Sequence, residues 1–265
     1  MGHWRHNLPV FSQHHPVYAL DLLGFGSSEK VVANYGIPLW MEQVHDFWQT
    51  FIQTPVVLVG NSIGSLICLA TAATYPQMVQ GLVMLNLPDA SVLEAPAWAQ
   101  PAVATLSRWT ELPLAFTKWV FTAPFLFYPF FRTIRRPGMI RCWAQQAYAT
   151  PHPVDNELVD ILSRPAYDQG AADALRAMIN AQSEHPNPYS AKALLPQINL
   201  PMLLIWGQQD RMVPPKLGPL FVRYNSNLKL IELDQAGHCP HDECPEQVNQ
   251  AICDWFQVCF CPPKS

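Results

Sequence analysis

The chain has 265 residues, enough for one large α/β domain or a core domain carrying an insert. Hydrophobic residues make up 49% and charged residues only 14%, a composition that suits an extensive core and much apolar surface. With a net charge of −4 and a pI near 6.1, nothing favours nucleic-acid binding.

The chain opens MGHWRHNLPVFSQ, without the basic-then-apolar pattern of a signal peptide. Val17 to Leu22 (VYALDL) reads as a strand, followed by the Gly-rich turn LGFGSSEK. Gly24-Phe25-Gly26 superficially resembles the start of a dinucleotide fingerprint, but Glu29 stands where the third glycine is needed and no clear helix follows. A tight turn below a site's rim is the better reading. Leu39 to Phe51 reads as a helix with Trp40, Val44, Phe47, Trp48 and Phe51 on one face. Val56 to Val59 is β-branched and apolar, as in a parallel strand buried on both faces, and Ile63 to Tyr75 reads as a helix stopped by Pro76. Further strands are expected at Gly81–Leu87, Pro201–Trp206 and Leu228–Leu233. A helix is expected around Gly218–Tyr224, and a last one from Pro245 with Val248, Ile252 and Trp255 on one face. Strands alternating with helices predict an α/β fold with a mostly parallel sheet.

Residues 89–196 break the rhythm: rich in proline and aromatics, they carry helical but no strand patterns. They read as a helical lid inserted between a first core part, 1–88, and a second, 197–265. The run Trp119–Phe131 is too short, and too interrupted by Pro124 and Pro129, to span a bilayer. It reads as a core or lid helix; flanked by Lys118, Arg132, Arg135 and Arg136, it has shallow, transient membrane contact as its alternative. Seven cysteines, an odd number without a C-x2-C pair, fit reduced thiols in a cytoplasmic protein.

The chemistry centres on GNSIG, residues 60–64. This G-x-S-x-G pattern between a strand and a helix is a nucleophile elbow, with Ser62 at the carboxyl edge of the sheet beside a helix N-terminus. A serine nucleophile needs a base, and the base an acid to orient it. Asp210, in IWGQQDRMVP, and His238, in LDQAGHCPHDECPE, each follow a predicted strand and so emerge at that same edge. Their order, Ser62, Asp210, His238, suits the architecture. Asp89 competes for the role of acid, whereas Asp234 lies too close to its strand. His241 suits a structural or supporting role, and His3, His6, His14, His15, His45, His152 and His185 read as surface or loop residues. No carboxylate-plus-histidine spacing suggests a metal site, and no cofactor is implied.

On DLLGFGSS (21–28), GNSIG (60–64), WGQQDRMVP (206–214) and GHCPHDECPE (237–246), the chain resembles the α/β-hydrolase fold superfamily. The serine at the elbow argues against the haloalkane dehalogenase and epoxide hydrolase branches, whose resemblance would demand an aspartate there. GNSIG followed by TAATYPQMVQGLVMLNLPDA is similar to the pheophytinase and chlorophyll dephytylase group, which implies hydrolysis of a lipophilic ester. The lid aromatics Trp98, Trp109, Trp119, Phe121, Phe125, Phe127 and Phe131 would line or cover its pocket, or pack the lid onto the core. The resemblance also implies an oxyanion site with one donor from the Ile63 N–H. A second donor would come from an HG-rich loop ahead of HWRHNLPVFSQ, which is expected to lie upstream of Met1 together with its strands. Otherwise the sheet has closed up, with the N–H of Gly2 or His3 standing in, or the protein folds without catalysing. A small lipophilic ester is the implied partner, with no obligate protein partner. The rival readings are a C–C bond hydrolase or cofactor-free haloperoxidase on the same residues, and a non-catalytic binding protein with a relic triad.

Overall fold

The computed structural model describes residues 1–93, 123–150, 153–181 and 187–261. Four strands, β1 (Val56–Asn61), β2 (Val79–Leu85), β3 (Met202–Gly207) and β4 (Leu228–Leu233), form one parallel sheet in that order. Helices α1 (Leu8–Phe11), α2 (Ile37–Phe51) and α3 (Ile63–Thr74) belong to the first part of the chain. Between β2 and β3 come α4 (Pro124–Ile134), α5 (Pro137–Ala147), α6 (Asn156–Ser163), α7 (Ala171–Asn180) and α8 (Ala191–Leu194). Then follow α9 (Gly218–Val222), α10 (Pro240–Glu243) and α11 (Pro245–Phe260).

Strand β3 is buried at every residue, as expected for a sheet covered on both faces. Because strand side chains alternate, Leu82, Met84, Leu204 and Trp206 join Leu66, Leu69 and Phe221 on one face. Val83, Leu85, Leu203 and Ile205 meet Val248, Ile252 and Trp255 of α11 on the other. The apolar stripe expected on the last helix is therefore the one that covers the sheet.

The expected strand Val17–Leu22 is not formed. A strand exists only beside a partner, and β1 is the outer strand of the sheet on this side. The neighbouring chain from Asp21 to Leu23 is tied to α2 by side chains instead: Gln43 accepts from Leu23 N and donates to Asp21 O, and Trp40 Nε1 donates to Leu23 O. The VYALDL segment and β1 have thus not closed up into a pair. The Met1 amino group donates to Asp21, and the residues after it pack against the C-terminal part of the chain: Asn7 donates to His241 O and Asn249 Oδ1, and Asn249 returns a bond to His6 O.

In the inserted helices Phe127 and Phe131 are buried with Ala171, packing α4 onto α7, whereas Phe125 is 76% exposed. Trp98, Trp109, Trp119, Phe121, His152 and His185 lie outside the described residues. All seven cysteines are free thiols. Among the described residues, no helix is long and apolar enough to cross a membrane.

Candidate active site

Strand β1 ends in a reversal so tight that Ser62 adopts φ 52°, ψ −124°, a region side chains rarely occupy. Gly60 makes this reversal sterically feasible: a Cβ there would lie 2.4 Å from the backbone C and O of Gly64. Gly64, by contrast, has open space where its Cβ would be. Three contacts with Leu85 tie the turn to β2. Ser62 N donates to Leu85 O at 2.9 Å, and the buried Ser65 hydroxyl sits 2.7 Å from Gly60 O and 2.8 Å from Leu85 O. Ser65 also accepts from Leu85 N at 3.0 Å. Ile63 is the first residue of α3, so its N–H is one of the amides a helix leaves without an internal partner.

The structure brings the three residues expected from sequence together. His238 Nε2 lies 2.9 Å from Ser62 Oγ, and its Nδ1 lies 2.8 Å from Asp210 Oδ2. With Asp210 accepting at Nδ1, that nitrogen carries the imidazole proton and leaves Nε2 free to accept from the serine hydroxyl. Asp210 is buried, which alone would raise its pKa. The hydrogen bonds from His238, the Val213 N–H and Asn86 outweigh that and hold the carboxyl below 3.8. Its other oxygen accepts from Met212 N at 2.7 Å and Val213 N at 2.9 Å.

The competing residues are placed elsewhere. Asp89 caps the turn after β2 and the start of α8, accepting from the N–H groups of Ser91 and Ala191. Asp234 is exposed. His241 is a core residue, 1% exposed, with both ring nitrogens unpartnered among the described residues. Burial holds its pKa well below 6.5, so it packs as a neutral ring against Trp4 and His3. His3 is no surface residue: its Nε2 lies 2.8 Å from the hydroxyl of buried Tyr148. On exposed turns of α2, Glu42, His45 and Asp46 bring ligand-type atoms within 4.8 Å of one another, a grouping the sequence reading did not anticipate. Tyr75 already engages it, donating to Glu42 and stacking on His45.

Sequence reasoning missed the supports of the site. Asn86, at the end of β2 with φ 48°, donates to both Asp210 Oδ2 and Gly237 O and accepts from Gly207 N. One fully buried amide thus fastens the acid loop to the base loop. The signal was present: a polar residue closing an otherwise apolar strand in GLVMLNL. Glu243, which bonds the His238 loop, lies within the GHCPHDECPE stretch, but nothing in that stretch singled it out; Ser65 had no local mark.

A family model described as alpha/beta hydrolase fold matches residues 1–245. The chain is 28% identical over 245 residues to a chloroplastic pheophytinase of Arabidopsis thaliana, covering 88% of this chain but only 48% of that protein, about half its length. It is 26% identical over 262 residues to a pimeloyl-[acyl-carrier protein] methyl ester esterase of Shewanella woodyi, covering 96% of this chain and 91% of that one. Among solved structures, a serine hydrolase involved in carbazole degradation, the CarC enzyme, aligns with TM-score 0.76 at 18% identity. That alignment covers 97% of this chain and 85% of the other, a likeness of fold.

Proposed function

Since the chain belongs to the α/β-hydrolase family, as the match over residues 1–245 establishes, we propose that it is a serine hydrolase cleaving a carboxylic ester of lipophilic character. The observation that carries this reading is the unbroken chain Ser62 Oγ, His238 Nε2, His238 Nδ1, Asp210 Oδ2, with links of 2.9 and 2.8 Å. His238 removes the serine proton as Oγ adds to the ester carbonyl, and Asp210 steadies the imidazolium that forms. The oxyanion collects at the Ile63 N–H, with the positive end of α3 behind it. His238 then protonates the leaving alcohol, and water, activated by the same imidazole, releases the acid.

Relatives named as a pheophytinase and as a methyl ester esterase support the ester class. An apolar groove of about 270 Å³ among the inserted helices, lined by Ile134, Ile140, Trp143, Ala144 and Leu162, supports a lipophilic environment. Phe125 and Leu126 on α4 and Trp143 on α5 stand exposed, with exposed Arg132 on α4 and Arg136 in the turn between the two helices, a pairing that suits brief contact with an anionic lipid surface.

The test is a chain-length series of p-nitrophenyl esters with product identification. This reading expects acid plus alcohol, with long acyl chains preferred. Activity confined to short, soluble esters contradicts the lipophilic part, and carbon–carbon cleavage of a diketone substrate would favour the kind of chemistry first kept as an alternative.

A further inference from the structure

Three consecutive backbone amides carry the histidine loop, and every one is held from outside it. Gly237 N and Cys239 N both donate to Glu243, at 3.0 Å each, and His238 N donates to Ala147 O at 2.8 Å. Ala147 is the last residue of α5, so its carbonyl is one that the helix cannot satisfy internally. The second carboxylate oxygen of Glu243 reaches in the same direction, accepting from Ala149 N at 2.6 Å as well as from Gly237 N at 3.0 Å. A Cβ on Gly237 would lie 2.6 Å from Ala149 N and 2.7 Å from Ala147 O, so loop and cap are in direct backbone contact. Between them Tyr148, 2% exposed, donates to Asp242 at 2.9 Å.

We propose that Glu243 is a positioning residue, whose single carboxylate clasps the His238 loop to the end of cap helix α5 and so couples the seating of the cap to the aim of the imidazole. The proposal rests on the hydrolase reading above. Its chemistry is specific to a carboxylate. Three N–H groups converge on two oxygens, and no other side chain of that size offers acceptors alone. A glutamine must turn its NH2 toward either Ala149 or the Gly237–Cys239 pair, setting donor against donor on one side of the clasp. Partial burial raises the Glu243 carboxyl above its usual value despite these donors.

The experiment compares wild type, Glu243→Gln, Glu243→Ala and a remote core variant, Met78→Ala, just before the amino end of β2. It uses steady-state hydrolysis of a p-nitrophenyl ester, the rate of labelling by a fluorophosphonate probe, and thermal unfolding. Displacing a general base by around 1 Å costs about 100-fold. Glu243→Ala is therefore expected to lower kcat and the labelling rate about 100-fold, and Glu243→Gln about 10-fold. KM should change far less than kcat, because neither variant removes a side chain that lines the apolar groove. Met78→Ala is expected to lower the melting temperature while leaving kcat unchanged. The proposal is overturned if Glu243→Gln retains kcat within about two-fold of wild type. It is equally overturned if kcat falls only in step with the folded fraction, or if Glu243→Gln does not fold, which would make the carboxylate a folding element. Failure of the wild type itself to label would refute the hydrolase reading instead, so the two outcomes are distinguishable.

Discussion

The two sides of the sheet hold one site by different means. On the β3–β4 side the acid and the base are fixed by many partners: Asp210 by four donors, and the His238 loop by Asn86, Glu243 and Ala147. On the β1 side the nucleophile depends on backbone strain confined by Gly60 and by the contacts of Ser62 N and Ser65 with Leu85, at the outer strand of the sheet. A base must keep its aim through a proton transfer, which rewards redundancy. A nucleophile must stand clear of the backbone, which a sharp, strained turn accomplishes with few contacts.

The difference can be broken from either side. Asp210→Asn should lower kcat about 10,000-fold with little change in KM, because the amide's NH2 favours the wrong imidazole tautomer. Steady-state kinetics checks this, and a loss below about 10-fold would mean that another group orients His238. Gly60→Ala should cost more than about 3 kcal/mol in denaturant unfolding, since the new methyl meets backbone rather than a movable side chain. Asn86→Ala leaves part of the Asp210 carboxylate and the Gly237 carbonyl unpaired and should destabilise by about 1–3 kcal/mol, with a fall in kcat. Gly64→Ala faces open space and gains helix propensity, so stability should hold or rise by up to about 1 kcal/mol. The two glycines of one motif are thus expected to differ in sign.

A pH series separates the acid's electrostatics from its packing. The Asp210 carboxyl lies below 3.8 when folded, so its charge stabilises the fold above the unfolded value, and that contribution is lost as pH falls through the folded one. The stability advantage of wild type over Asp210→Asn should therefore shrink as pH is lowered from about 5 toward 3. A constant difference would show that the variant's cost is steric.

What could be read from the sequence follows the same division. Of the strands described, β3 is a continuous apolar run whose burial is written in its own residues. Leu228–Leu233 is found at the expected bounds with Lys229 and Glu232 exposed. Val56–Val59, expected to be buried on both faces, is only half-buried because β1 is the outer strand. Ser62, Asp210 and His238 were legible because each sits at a strand end within a recognisable local pattern. Val17–Leu22 has the composition of a strand, but strand formation belongs to a pair, and the chain there is served by Gln43 and Trp40 instead. Asn86, Ser65 and Glu243 act across 20 residues or more in some of their bonds, and such bonds have no spacing to read.

The central claim is that Ser62 is a nucleophile activated by His238. It is tested most directly by labelling the intact chain with a fluorophosphonate probe and mapping the modified residue by mass spectrometry. The account predicts one adduct, on Ser62, absent in Ser62→Ala and strongly slowed in His238→Ala. Wild-type protein that is folded yet unlabelled, or a Ser62→Ala chain that labels as fast as wild type, would contradict it.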